Sequence, residues 1–75
     1  MERLYEEYSE DKKKRFSVYD KGNYVSVVTE RYFEEFATEG YVEPAGFREV
    51  RDGMVHTAGT LEEGIEVGRE LLRNM

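Results

Sequence analysis

The chain has 75 residues, with six tyrosines, four phenylalanines, no cysteine and a formal net charge of −6. This length allows one small domain with a thin hydrophobic core, and the lack of cysteine excludes disulfides and favours a reducing compartment, so we expect a cytoplasmic protein. No apolar stretch approaches the roughly 20 residues of a membrane span, and the acidic N-terminus is unlike a signal peptide.

The excess negative charge lies in the second part of the chain. Residues 1–29 carry six acids and six bases, whereas residues 30–75 carry eleven acids against five arginines. Phosphate binding needs a basic face, so this distribution disfavours direct nucleic-acid binding. The basic run Lys12–Arg15 is most simply a solvated helix end.

The first two predicted elements are a helix and a hairpin. Leu4, Tyr5 and Tyr8 share one side of a helix over residues 2–14, which makes residues 1–15 an N-terminal helical segment. Residues 16–19 and 24–29 are rich in β-branched and aromatic side chains and flank an Asp-Lys-Gly-Asn turn. That pattern predicts a β-hairpin.

A second helix is predicted over residues 30–39. Thr29 is a candidate N-cap, Gly40 a C-terminal stop, and the apolar and acidic residues fall on opposite arcs of the helical wheel. A strand is disfavoured here because Glu34 and Glu35 break the alternation. Residues 41–46 are a predicted loop.

A second hairpin and a last helix complete the prediction. Residues 47–51 and 54–58 flank Asp52-Gly53, a favoured two-residue turn that places Glu49 opposite His56. Thr60, with Glu63 three residues later, forms a capping box, and the helix is expected to run from residue 61 to Arg73 or beyond. The whole is an α+β domain over residues 1–75, with a 16–75 core, α-ββα-ββα order, and a four-stranded, mainly antiparallel sheet covered by helices on one face.

Two glycines interrupt the apolar face of the last helix. Gly64 and Gly68 each cost about 1 kcal/mol relative to alanine inside a helix, so a compensating contact is expected. Close packing of the helix over an aromatic ring such as Phe16 or Phe47 is one explanation. A homodimer contact through Gly64 and Gly68 is a second, and a small-ligand pocket is a third.

Catalytic and metal chemistry find little support in the residues. His56 beside Glu49 is the single acid–base pair that the predicted register offers, and a cross-strand ion pair explains it as well. One histidine and three aspartates do not match zinc or EF-hand patterns. Phosphate binding at Gly59-Thr60 is disfavoured because Glu62 and Glu63 occupy that first helical turn. No catalytic residue, cofactor or metal is therefore predicted.

The acidic surface is the strongest candidate for function. The expected partner-binding residues are Glu30, Glu34, Glu35, Glu39, Tyr41, Glu43, Glu62 and Glu66. Carboxylates on helix faces raise solubility, and they also steer association with a basic protein surface. Both explanations remain open on the sequence alone.

Two stretches resemble HicB-type antitoxin domains. Residues 19–28, YDKGNYVSVV, are similar to the glycine-containing turn and tyrosine-bearing strand of that family, and residues 59–66, GTLEEGIE, are similar to its Gly-x-Thr-Leu-Glu-Glu-Ala turn into a helix. The chain departs from the family by inserting residues 30–39 and by lacking a Pro-Asp-Leu-Pro-Gly segment. The resemblance implies a cytosolic protein that neutralises a partner.

These observations predict a non-enzymatic acidic module that docks on a basic partner protein, such as an inhibitor, an antitoxin or a nucleic-acid mimic. The alternative is a small ligand-binding or regulatory domain that homodimerises through the glycine-bearing C-terminal helix. An enzyme is a third reading and rests on His56 and Glu49 alone.

Overall fold

A computed structural model of the chain describes residues 2–50 and 55–75. Within these ranges the elements are β1 (Arg3–Tyr8), β2 (Lys14–Asp20), β3 (Val25–Phe33), β4 (Phe36–Thr38), β5 (Tyr41–Glu43), β6 (Gly46–Glu49), β7 (His56–Ala58) and α1 (Leu61–Arg73). The predicted α-ββα-ββα order is therefore wrong. The described chain is mostly strand, with a five-stranded sheet, a separate two-stranded sheet and one C-terminal helix.

The predicted N-terminal helix is the edge strand β1. It pairs antiparallel with β2, and the Tyr5 ring packs on Phe16 with 5.9 Å between the ring centroids. A helix satisfies its backbone locally, whereas an edge strand gains both ladder hydrogen bonds and cross-strand side-chain contacts from its neighbour. The basic run begins in the turn before β2, where Lys12 has a positive φ of 65°.

The predicted helix over residues 30–39 is also absent, because β3 continues through this region to Phe33. Glu30 forms an ion pair with Arg15 of β2 at 2.9 Å, and the Tyr32 ring packs on Phe47 of β6 at 5.5 Å. These contacts lie on neighbouring strands and are invisible to a helical wheel. Gly40, expected as a helix stop, has a φ of 80° in the loop between β4 and β5.

The predicted second hairpin is wrong as well, because β6 and β7 both pair antiparallel with β3 and lie end to end along its edge. Glu49 is opposite Glu30, and His56 is opposite Val27. The predicted pairing of Glu49 with His56 is therefore not made. The Asp52-Gly53 turn lies outside the described residues.

Two predicted elements are confirmed. The hairpin of β2 and β3 closes where the N–H of Gly22 donates to the Asp20 carboxylate at 2.8 Å, and Gly22 has a φ of 95°. Helix α1 begins after Thr60, whose hydroxyl accepts from the N–H of Glu63 at 3.2 Å, and it ends at Arg73.

The core lies between α1 and one face of the large sheet. It is built from Phe16, Val18, Val25 and Val27, with partly buried side chains of α1 packed against them. Helix α1 contacts β2, β3 and β7. The sheet is thus covered on one face, and the opposite face carries the side chains that alternate with the core residues.

Candidate protein-binding surface

Strands β4 and β5 form a hairpin outside the main sheet. Phe36 pairs with Glu43 and Thr38 with Tyr41, and these two strands contact mainly each other. The molecule measures 46 × 25 × 21 Å and has a radius of gyration of 13.9 Å, against about 11 Å for a compact chain of this length. We call residues 34–43 the arm, because β4 and β5 pair with each other and not with a strand of the large sheet.

The arm exposes large apolar side chains. Phe36 is 59% exposed, Tyr41 56% and Val42 62%, and Phe33 at its base is 43% exposed. Single exposed apolar residues are ordinary on protein surfaces, but a contiguous group of them marks a surface that contacts something else. Aromatic side chains in particular are enriched at the centres of protein interfaces.

The arm is also the most one-sidedly charged part of the chain. It carries the carboxylates of Glu34, Glu35, Glu39 and Glu43 and contains no basic residue. Arg48 of β6 binds Glu43 at 2.8 Å. The Tyr41 hydroxyl donates to the same carboxylate, which raises the pKa of Tyr41 because the neighbouring negative charge opposes ionisation of the phenol. The arm therefore carries apolar and acidic groups together, with Phe36, Tyr41 and Glu43 on one face of the hairpin and Val42 on the other.

A cleft of about 500 Å³ lies where the arm leaves the body, and we call it the arm cleft. It is lined by side chains of β3, β4, β5 and β6 and of the segment between β3 and β4: Phe33, Glu34, Glu35, Phe36, Glu43 and Arg48. The Cζ of Arg48 lies 5.2 Å from the centroid of the Phe33 ring. The lining of the cleft thus comprises two phenyl rings, three carboxylates and one guanidinium.

Five of the eight predicted partner-binding residues lie together on the arm. They are Glu34, Glu35, Glu39, Tyr41 and Glu43. Glu62 and Glu66 are exposed on α1, and Glu30 lies on the open face of the large sheet. The predicted set is therefore split among three surfaces.

Glu30 belongs to an ion network centred on Arg15. The guanidinium of Arg15 binds both carboxylate oxygens of Glu30, at 2.9 and 3.2 Å, and it binds Glu6 at 3.0 Å. It also lies 4.1 Å from the centroid of the Phe47 ring. The hydrogen bonds that Arg15 donates to Glu30 and to the Tyr8 hydroxyl raise the pKa of Arg15. This network occupies the Glu30 carboxylate within the chain, whereas Glu34, Glu35 and Glu39 of the arm are exposed.

The glycines of α1 lie against the sheet of their own chain. A Cβ on Gly68 would be 2.2 Å from the Phe16 ring, and one on Gly64 would be 2.9 Å from Val25 and 3.1 Å from Val18. Close packing of the helix on the sheet, one of the three explanations from the sequence, accounts for both glycines: Gly68 lies over the Phe16 ring, and Gly64 lies over Val18 and Val25. Both are buried in this packing, and a homodimer contact through them stays a prediction without a structural observation in its favour.

The proposed acid–base pair is separated by the register of the sheet. Because Glu49 faces Glu30 and His56 faces Val27, they lie on opposite faces of the sheet. No group of three or more potential metal ligands occurs among residues 2–50 and 55–75. Over those same residues, no helix is long and apolar enough to cross a membrane.

Comparisons with family models, with curated proteins and with solved structures found no match to this chain. The similarity to HicB-type domains therefore rests on the two short stretches alone. In the structure these stretches are the β2–β3 hairpin and the start of α1.

The sequence analysis did not predict that the arm and its cleft expose apolar side chains. Phe33, Phe36, Val42 and Arg48 were not singled out, because Phe33 and Phe36 were assigned to the buried side of a helix. The segment Phe36-Ala37-Thr38, then Glu39-Gly40, then Tyr41-Val42 carries a signal for a short hairpin. A glycine suits both a helix stop and a hairpin loop, so Gly40 did not distinguish them.

Proposed function

We propose that this chain is a non-enzymatic cytoplasmic interaction module that docks through its arm on a basic surface of another protein. An inhibitor, an antitoxin or a nucleic-acid mimic would work in this way. The observation that supports the proposal is the joint exposure of three carboxylates and three apolar side chains on the arm, which packs on little else of the chain.

The two kinds of side chain on the arm have separate roles in this proposal. The carboxylates attract a basic partner over a distance and raise the association rate, an effect that salt screens. Phe36, Tyr41 and Val42 then lose contact with water, which supplies affinity that charge alone does not. A two-stranded hairpin is marginally stable by itself in water, so a partner that covers this arm also stabilises it.

The test compares charge reversal on the arm with matched reversal on α1. The tagged chain captures its partner from a lysate of its own cells at low salt, and binding to the identified, purified partner is measured by calorimetry. Glu34→Lys with Glu35→Lys should weaken binding by about tenfold or more, because two attractive pairs become repulsive. Glu62→Lys with Glu66→Lys changes the chain's net charge equally and should leave affinity within about twofold.

Salt dependence provides the second measurement. The affinity of the unchanged chain should fall as ionic strength rises from about 50 to 500 mM, because exposed charge pairs are screened. An affinity that does not change with ionic strength, or that is lowered equally in the arm and α1 variants, would contradict the proposal.

A further inference from the structure

We propose that the arm cleft binds one arginine or lysine side chain of the basic partner. This inference rests on the proposed function and names the group that the arm recognises. The cleft joins two features that a cation seeks, aromatic faces and carboxylates, in about 500 Å³.

Both aromatic side chains of the cleft are exposed to solvent. Phe33 and Phe36 line the cleft from β3 and β4, and both are among the exposed large hydrophobic side chains. A guanidinium or ammonium group within about 6 Å of a ring centroid is attracted by the ring quadrupole. The chain already makes one such contact there, since Arg48 lies 5.2 Å from the Phe33 centroid and binds Glu43 at 2.8 Å.

The charge balance favours a second cation. Three carboxylates and the Arg48 guanidinium line the cleft, which leaves a formal charge of −2. Arg48 engages Glu43, whereas within the described ranges neither Glu34 nor Glu35 forms an ion pair. An anion would be repelled by the net charge, and an apolar side chain would desolvate carboxylates without pairing them. An incoming arginine or lysine finds in one cleft the Phe36 ring and the carboxylates of Glu34 and Glu35.

The probe is N-acetyl-arginine amide, titrated into the ¹⁵N-labelled full chain and followed by NMR. We expect saturable shifts at the amides of residues 33–36 and at Arg48. N-acetyl-citrulline amide has nearly the same shape without the charge and should produce no saturable shift at these positions. Equal shifts with the neutral probe, or shifts spread over α1, would overturn the inference.

Variants of the chain distinguish the contribution of the aromatic ring to binding from that of the carboxylates, and from a loss of folding. Phe36→Ala, and Glu34→Gln with Glu35→Gln, should each weaken arginine-amide binding by about fivefold or more. Phe36→Tyr keeps an aromatic face and should retain binding, as should Glu62→Gln with Glu66→Gln on α1. Unchanged amide positions in β2 and α1 report that each variant is folded.

The two proposals fail in different ways. If the partner needs the arm but arginine amide does not bind the cleft, this inference fails and the proposed function stands. If arginine amide binds the cleft while charge reversal on the arm leaves partner affinity unchanged, the proposed function fails.

Discussion

Gly68 of α1 lies directly against the ring of Phe16 in β2, and a Cβ at this position would be 2.2 Å from the Cδ2 of that ring. Phe16 is fully buried beneath the helix. The contact holds the helix close to the sheet, because a larger residue at position 68 would force the two elements apart or displace the ring.

Gly68→Ala should therefore destabilise the protein although alanine is the better helix former. Overpacking a core costs about 1–3 kcal/mol, whereas alanine gains about 1 kcal/mol in helix propensity over glycine. A substitution at the upper end of the overpacking range therefore causes a net loss of stability. Because the 2.2 Å approach to Phe16 puts Gly68→Ala at the upper end of the overpacking range, denaturant unfolding should show a net loss of about 2 kcal/mol. Gly64→Ala, with its longer contacts to Val18 and Val25, is the matched comparison and should cost less.

A double variant tests whether Phe16 is the cause. Phe16→Leu removes ring atoms that the new methyl group would meet, so Gly68→Ala should cost less in that background. If Gly68→Ala is as stable as the unchanged chain, the Phe16 ring does not limit how closely α1 approaches the sheet.

The Arg15 network predicts a loss of stability when its centre is removed. Arg15→Met keeps a long apolar stem but leaves Glu30 without its cation and opposite Glu49 in the ladder. Like charges facing each other across strands are unfavourable, and a half-buried carboxylate that loses its partner is costly. We expect a loss of about 1–2 kcal/mol by denaturant unfolding.

Glu30→Gln in the Arg15→Met background is the matching control. It removes the uncompensated charge and should recover part of the lost stability, which Glu39→Gln at the tip of the arm should not do. Full additivity of Arg15→Met and Glu30→Gln would show that the two side chains do not interact.

Acid should destabilise the fold through carboxylates held by cations and hydroxyls. Arg69, with its Nε 3.0 Å from an oxygen of Glu7, and the Tyr5 hydroxyl at 2.6 Å lower the pKa of Glu7. The Tyr8 hydroxyl, Arg3 and Arg15 lower that of Glu6.

These lowered pKa values determine how the stability of the fold depends on pH. A carboxyl whose pKa is lower in the folded chain stabilises it above the unfolded value of about 4.3, and this contribution disappears as pH falls through the folded pKa. The Tm should thus be nearly level between about pH 7 and 5 and should decline below about pH 4. Glu7→Gln should make that decline shallower, and Glu39→Gln, on the exposed arm, serves as the control. An unchanged pH slope in Glu7→Gln would contradict this assignment.

The arm should open far more readily than the core. Its strands are three residues each and contact mainly each other, whereas β2 lies between two strands and beneath α1. Amides of residues 36–43 should therefore exchange with deuterium at least about a hundredfold faster than those of residues 16–18. Addition of the purified partner should slow exchange in the arm. Equal exchange rates in the arm and the core of the free protein would show that the arm is not an independent hairpin.

Local chemistry was enough to predict the β2–β3 hairpin and α1. Asp20 and Gly22 close a turn by their own hydrogen bond and dihedral angle, and Thr60 caps α1 through a neighbour three residues away. The break in alternation at Glu34 and Glu35 was also read from the sequence. It marks the junction between β3 and β4 rather than a helix.

The sequence by itself determined the composition of the surface, the close approach required at the glycines of α1, and the elements that short-range contacts specify. The tertiary structure alone decided that residues 3–8 and 30–33 are strands, because their stabilising partners, β2 for the first and Arg15 and Phe47 for the second, are distant in the chain. It likewise decided that β6 and β7 share the edge of β3 instead of pairing with each other. Helical periodicity and turn propensity are weak local preferences, and a nine-residue strand with unpaired backbone groups along its edge overrides them. For the same reason, Glu34, Glu35 and Glu39, expected on a helix over residues 30–39, lie on the arm, whereas Glu62 and Glu66 lie on α1 as expected.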